Sequence, residues 1–138
     1  MKIRNGFVSN SSSSSFCIWG CHMEFSEMTK KIAAKLSKEM ENKLKENGVL
    51  EEDEILEDCL SEDFDFAIIY EAVKLIDTNK IASHLAFIRD EDWAYIGRYY
   101  TSIKDDETGG EFRDSTTKAI ELLFGDQECE SIEGTIYN

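Results

Sequence analysis

Met28, Ile32, Leu36, Met40 and Leu44 recur every four residues, and this spacing constrains the fold more than any other feature of the chain. Apolar positions repeated at that interval, with Ala33 beside them, line one side of an amphipathic helix of about five turns. The opposite side carries Lys30, Lys31, Lys35, Lys38, Lys43 and Lys45 with Glu39, Glu41 and Glu46. Ser26 is suited to cap its start, with Phe25 before it as a staple residue. Gly48, after Asn47, supplies the stop.

The remaining segments fit an α+β chain around that helix. Ser15–Cys21, rich in aromatic and β-branched residues, predicts a strand. Glu51–Asp65 holds Ile55, Leu56, Cys59 and Leu60 at helical spacing, which predicts a short helix with an almost purely acidic solvent face. Phe66–Asp77, with Ile69, Tyr70, Val73 and Ile76, predicts another helix, with Asp65 as a cap. The alternation Phe64, Phe66, Ile68 leaves a strand start as the alternative. His84–Arg89 and Trp93–Tyr99 predict a hairpin joined by Asp90-Glu91-Asp92. Thr101–Glu111 predicts a loop, Phe112–Phe124 a helix closed by Gly125, and Cys129–Tyr137 a last strand. Without the acidic helical insertion at about 49–80, the order is βαββαβ, the ferredoxin-like split βαβ plan. That plan is one antiparallel sheet with helices on one face and the other face free for a partner or an extra segment. The 138 residues, 41% apolar and without proline, predict a single domain over 1–138, with a serine-rich arm over 1–15.

The charge balance narrows the partners. Twenty-nine acids against 15 bases give a formal charge of −14. Such a chain repels nucleic-acid backbones and anionic membranes, and is drawn to basic protein surfaces, many of which hold DNA or RNA. Solubility alone is the plainer reading of the same charge. No apolar run approaches the ~20 residues of a membrane span. Lys2 and Arg4 are not followed by an apolar stretch, so no secretory signal is expected, and Lys2 excludes a myristoylation start. The expected site of action is the cytoplasm, where Cys17, Cys21, Cys59 and Cys129 are expected as reduced thiols, mostly packed in the core.

The opening, Met1–Phe16, frames five serines between Gly6-Phe7-Val8-Ser9-Asn10 and Phe16-Cys17-Ile18-Trp19. Arg4, Gly6, Phe7, Val8, Ser9, Asn10, Ser11–Ser15 and Phe16 resemble the shared start, R-x-G-F-V-S-N-S-S-S-S-S-F, of a group of small bacteriophage and mobile-element proteins without known function. Trp93–Arg98, Lys104–Gly109 and Glu128-Cys129 resemble further stretches of that group. The resemblance implies a phage or mobile-element origin; it does not imply an activity, because varied sequences follow the shared start. The serine run itself reads as a flexible arm, as an arm packed on the fold through Phe7, Val8 and Phe16, or as a modification or phosphate site.

Motifs with defined chemistry are few. Cys17-x3-Cys21-His22 suggests zinc, but residues four apart on one strand lie ~13 Å apart, too far for one tetrahedral ion. A turn at Gly20, with Cys59 or Cys129 completing the set, is what a zinc site would need. No metal or cofactor is therefore expected. His84 reads as a packed or surface histidine rather than a base. Asp105-Asp106-Glu107-Thr108-Gly109-Gly110 lacks the EF-hand spacing. The acids of the Glu51–Asp65 run (Glu51, Glu52, Asp53, Glu54, Glu57, Asp58, Glu62, Asp63 and Asp65) are either a solvated face or a mimic of nucleic-acid phosphates. Asp90, Glu91 and Asp92, and Asp105, Asp106 and Glu107, extend that candidate contact set. The expected function is a non-enzymatic, phage-encoded inhibitor of a host nucleic-acid-binding machine such as a CRISPR effector or another defence nuclease. It would bind a basic host protein surface, without direct nucleic-acid or membrane contact. Two alternatives stand: a small ligand- or metal-binding ferredoxin-like domain with Cys17, Trp19, His84 and Trp93 around a pocket, and a virion or assembly accessory protein.

Overall fold

A computed structural model describes residues 13–51 and 66–137. Strand β1 (Ser13–Glu24) leads into helices α1 (Phe25–Lys35), α2 (Lys38–Glu46) and α3 (Phe66–Ile76). Strands β2 (Ala86–Asp90) and β3 (Trp93–Tyr99), a 3-10 turn (Tyr100–Ser102), helix α4 (Gly109–Phe124) and strand β4 (Glu130–Tyr137) follow. The four strands form one sheet in the order β2-β3-β1-β4, and each neighbouring pair is antiparallel. The chain is thus α+β, as its patterning predicts.

Alternation along the strands sorts side chains onto two faces. One face presents Cys21, Met23, Phe87, Ala94 and Ile96 to Phe25, Met28 and Ile32 of α1 and to Ala119, Ile120 and Leu123 of α4, all buried in one cluster. Leu44 and Leu50 extend that cluster onto Ile69, Ala72 and Val73 of α3. The second face carries Phe16, Ile18, His22 and Glu24 of β1, Trp93 and Tyr95 of β3, and Ile88 and Asp90 of β2, as the register requires. Gly20 and Gly97 face each other across the two central strands. A Cβ on Gly20 would stand 2.0 Å from the Ile96 carbonyl oxygen, and one on Gly97 2.2 Å from that of Trp19. Only glycine at both positions permits this approach.

Several element boundaries differ from those predicted. The single long helix is two: Leu36 adopts an extended conformation, and the Ser37 hydroxyl accepts the Met40 N–H at 3.2 Å as the N-cap of α2. The four-residue spacing survives the break because α1 and α2 both pack on α3, and Met28, Ile32 and Leu44 are all buried. Ser26 does not cap α1, which begins at Phe25. The Phe25 N–H instead donates to the Asp92 carbonyl in the β2–β3 turn at 2.7 Å, and its ring lies 4.0 Å from the Arg89 guanidinium carbon. Phe66–Ile76 is a helix rather than a strand start. Helix α4 begins three residues early, because Thr108 and Glu111 form a reciprocal capping box ahead of Phe112. Gly48 and Gly125 end their helices with φ of +77° and +75°, as expected of glycine stops.

Strand β1 is longer than predicted at both ends. Its backbone from Ser13 to Ser15 pairs with Thr135–Tyr137 of β4, so the second part of the serine run is sheet. Residues 1–12, with Phe7 and Val8, and residues 52–65 lie outside the described residues.

Candidate interaction surface

The β2–β3 hairpin turns over two residues, Glu91 and Asp92, with Asp90 paired to Trp93 as the last rung. Glu91 takes a positive φ of 54°, held by the Arg89 Nε bond to its carbonyl at 2.8 Å. Glu91 and Asp92 are exposed and Asp90 half-buried. None of the three carboxylates forms an ion pair among the described residues. Burial and the Asp90 carboxylate both push the Tyr95 phenol above its ordinary value.

The other acidic loop stands at the far end of β3 and behaves differently. Arg98, 5% exposed, donates from Nη1 and Nη2 to the two Glu107 carboxylate oxygens at 2.9 Å each, and to Ser102 from Nε and Nη2 at 3.0 and 2.7 Å. Its guanidinium lies 4.8 Å from the centre of the Phe112 ring. These Arg98 hydrogen bonds, then the Lys104 N–H, hold the Glu107 carboxyl below its ordinary value. Glu107 therefore staples a loop, while Asp105 and Asp106 remain exposed. The seven residues of β3 separate the two acidic loops, about 20 Å over six steps of strand rise, so they form two patches rather than one. Glu51 is exposed after α2, and Glu52, Asp53, Glu54, Glu57, Asp58, Glu62, Asp63 and Asp65 lie outside the described residues.

The chemistry of a ligand pocket is not assembled at the residues weighed for it. Strand β1 runs unbroken through Gly20, so the turn that zinc requires does not form. Cys17 and Cys21 share the helix-side face of β1, whereas the His22 ring lies on the opposite face, 5.6 Å from Trp93 and 6.2 Å from Tyr95. Burial first, then the nearby Cys129 sulfur, pushes the Cys21 thiol up to about 12, and burial raises Cys129 as well. Both thiols stay protonated at neutral pH and are poor nucleophiles. Cys17 is exposed, contrary to a core position, and Cys59 lies outside the described residues. Trp19 faces α4, where its Nε1 donates to Thr117 Oγ1 at 3.1 Å, while Trp93 stands on the opposite face of the sheet. His84 sits in the turn before β2, not in a strand, at the rim of a cavity of about 150 Å³ that it shares with Lys104, Arg98 and Glu107. Cys17, Trp19, His84 and Trp93 thus line no common pocket.

Two structural residues escape sequence reading. Asp77 is 5% exposed, and its carboxylate accepts the Ile81 and Ala82 N–H groups at 2.8 and 2.7 Å, organising the turn before β2. Arg98 is the penultimate residue of β3, with no local signal of its partner nine residues on. Among the described residues, no group of three His, Cys, Asp or Glu side chains gathers to hold a metal, and no helix is long and apolar enough to cross a membrane. No family model, curated protein or solved structure matches the chain.

Proposed function

We propose that this chain is a phage-encoded, non-enzymatic interaction protein that binds a basic protein surface of its host. It inhibits a nucleic-acid-binding machine, a CRISPR effector or another anti-phage nuclease, in the host cytoplasm by presenting carboxylates where the polynucleotide phosphates would lie. The observation that carries this reading is that Asp90, Glu91 and Asp92, at the β2–β3 end of a chain with formal charge −14, make no ion pair among the described residues. The contact set is Glu51–Asp65 with Asp90, Glu91 and Asp92, extended by Asp105 and Asp106. We read the scaffold as the ferredoxin-like split βαβ plan with α2 and α3 as additions. The central position of β1 and β3, with β2 and β4 at the edges, supports that reading.

Capture from host lysate on the immobilised full chain tests the function. The expected result is recovery of a nucleic-acid-binding protein that is released by salt and lost when the Glu51–Asp65 acids are changed to lysine. Recovery of no such protein, or recovery indifferent to those changes, overturns the reading.

A further inference from the structure

The last rung of the second sheet face places Trp93 of β3 between Glu24 of β1 and Asp90 of β2, its direct cross-strand neighbours. Residues opposed on one face hold their Cβ atoms about 4.5–5.5 Å apart, so the Trp93 side chain leaves the sheet between those of two acids. The adjoining rung, His22, Tyr95 and Ile88, backs it: His22 packs against both Trp93 and Tyr95 at tilted ring angles. Trp93 nonetheless remains 45% exposed, and neither Glu24 nor Asp90 is ion-paired among the described residues.

We infer that this end of the sheet is a binding site for the guanidinium group of an arginine presented by a basic protein partner. A planar cation stacks on the negative face of an indole, and its fixed N–H fork donates to carboxylates at either side. A lysine ammonium, compact and more strongly hydrated, gains less from the same platform. An apolar ligand would desolvate Glu24 and Asp90 without pairing them. A nucleobase would stack on Trp93 but bring its phosphates against Glu24, Asp90, Glu91 and Asp92. The inference rests on the proposed binding of a basic surface and names the chemical group that this surface must offer.

The test is a titration of the full chain, followed by ¹H–¹⁵N NMR, with two peptides of equal charge: acetyl-Gly-Arg-Gly-Arg-Gly-amide and its lysine counterpart. The arginine peptide is expected to shift the Trp93 indole N–H and the amides of 90–93, and to bind at least about threefold more tightly than the lysine peptide. Trp93→Ala and Asp90→Asn are each expected to weaken it about fivefold, with spectra that remain those of a folded chain. Equal affinity for the two peptides, or shifts centred on Asp105 and Asp106, overturns the site. If the arginine preference holds while lysate capture yields no nucleic-acid-binding protein, the proposed function falls and the site stands. If capture succeeds and Trp93→Ala leaves it unchanged, the site falls and the function stands.

Discussion

At one end of β3, Asp90 at the end of β2 and the Glu91-Asp92 turn carry carboxylates that make no ion pair among the described residues; at the other, the Asp105–Glu107 loop commits one carboxylate to a buried guanidinium. The two segments are nearly identical in composition. What separates them is whether the adjacent strand carries an arginine on the face that the loop folds over. Arg98 lies on the helix-side face, where only a paired charge is tolerated in the interior, so Glu107 is drawn in to meet it. At the turn end the nearby arginine, Arg89, instead donates to the Glu91 carbonyl and lies over the Phe25 ring. An acid run therefore has two fates, and counting charges does not distinguish them.

The most damaging way to disturb this contrast is to remove the strand that joins the two ends. In Gly97→Val, the new Cβ would stand 2.2 Å from the Trp19 carbonyl oxygen, a backbone atom that cannot swing away. We expect loss of more than about 4 kcal/mol and no cooperative thermal transition. A normal melt would show that β1 and β3 can separate without penalty.

Arg98→Ala acts on the far end alone. It removes the pairing with Glu107, the bonds to Ser102 and the stacking on Phe112, and is expected to cost about 3 kcal/mol in a urea titration. Arginine-peptide shifts at Trp93 should persist in this variant under native conditions. If the urea midpoint does not move, the two ends of β3 are energetically alike and the contrast fails.

The pH dependence of stability sharpens the same point. The folded carboxyl of Glu107 is held below its ordinary value of 4.5, so the unfolded chain binds the proton more readily. Its contribution is complete above 4.5 and is lost as pH falls through the lower folded value. Glu107→Gln should therefore flatten the acid limb of a stability–pH curve below 4.5 relative to wild type. The capping-box carboxyl of Glu111, also lowered by its Thr108 bonds, is present in both proteins and cancels. Parallel acid limbs would remove Glu107 from the staple.

The smallest effect on stability is expected at the turn. Asp90→Asn with Asp92→Asn should change the unfolding free energy by less than about 0.5 kcal/mol, because no described ion pair is lost. The same pair should weaken lysate capture more than Asp105→Asn with Asp106→Asn, measured side by side at one salt concentration. The reverse order would move the interaction surface to the far end of β3.

Among the described residues, helix existence was legible where apolar residues recur with a helical period: Met28, Ile32 and Leu44 are buried as the stripe requires, while the helix read over Glu51–Asp65 lies outside the described residues but for Glu51. The break at Leu36 was not, because neither glycine nor proline marks it and Ser37 acts as a cap only once α2 turns onto α3. Glycine stops at 48 and 125 were legible, since a positive φ leaves few other choices. The start of α4 was hidden behind Gly109 and Gly110, although Thr108 and Glu111 carry the capping-box spacing. Of the candidate contact residues, Glu91 and Asp92 were placed on a turn from pattern alone, whereas Asp90, read as part of the same loop, is the last residue of β2. Glu107 could not be set apart from Asp105 and Asp106, because its partner belongs to a strand and not to its own loop.

By itself, and among the described residues, the sequence determined which segments are helical and which extended and the sign of the charge, though not the break of the first helix into two, since these follow from local periodicity, turn chemistry and composition. Only the tertiary structure decided that β1 and β3 lie against each other through paired glycines, that Trp19 and Trp93 stand on opposite faces, and that Glu107 is ion-paired while Asp90 and Asp92 make no ion pair among the described residues. Those outcomes depend on which distant residues the antiparallel register brings into the same row, and no local pattern encodes that register.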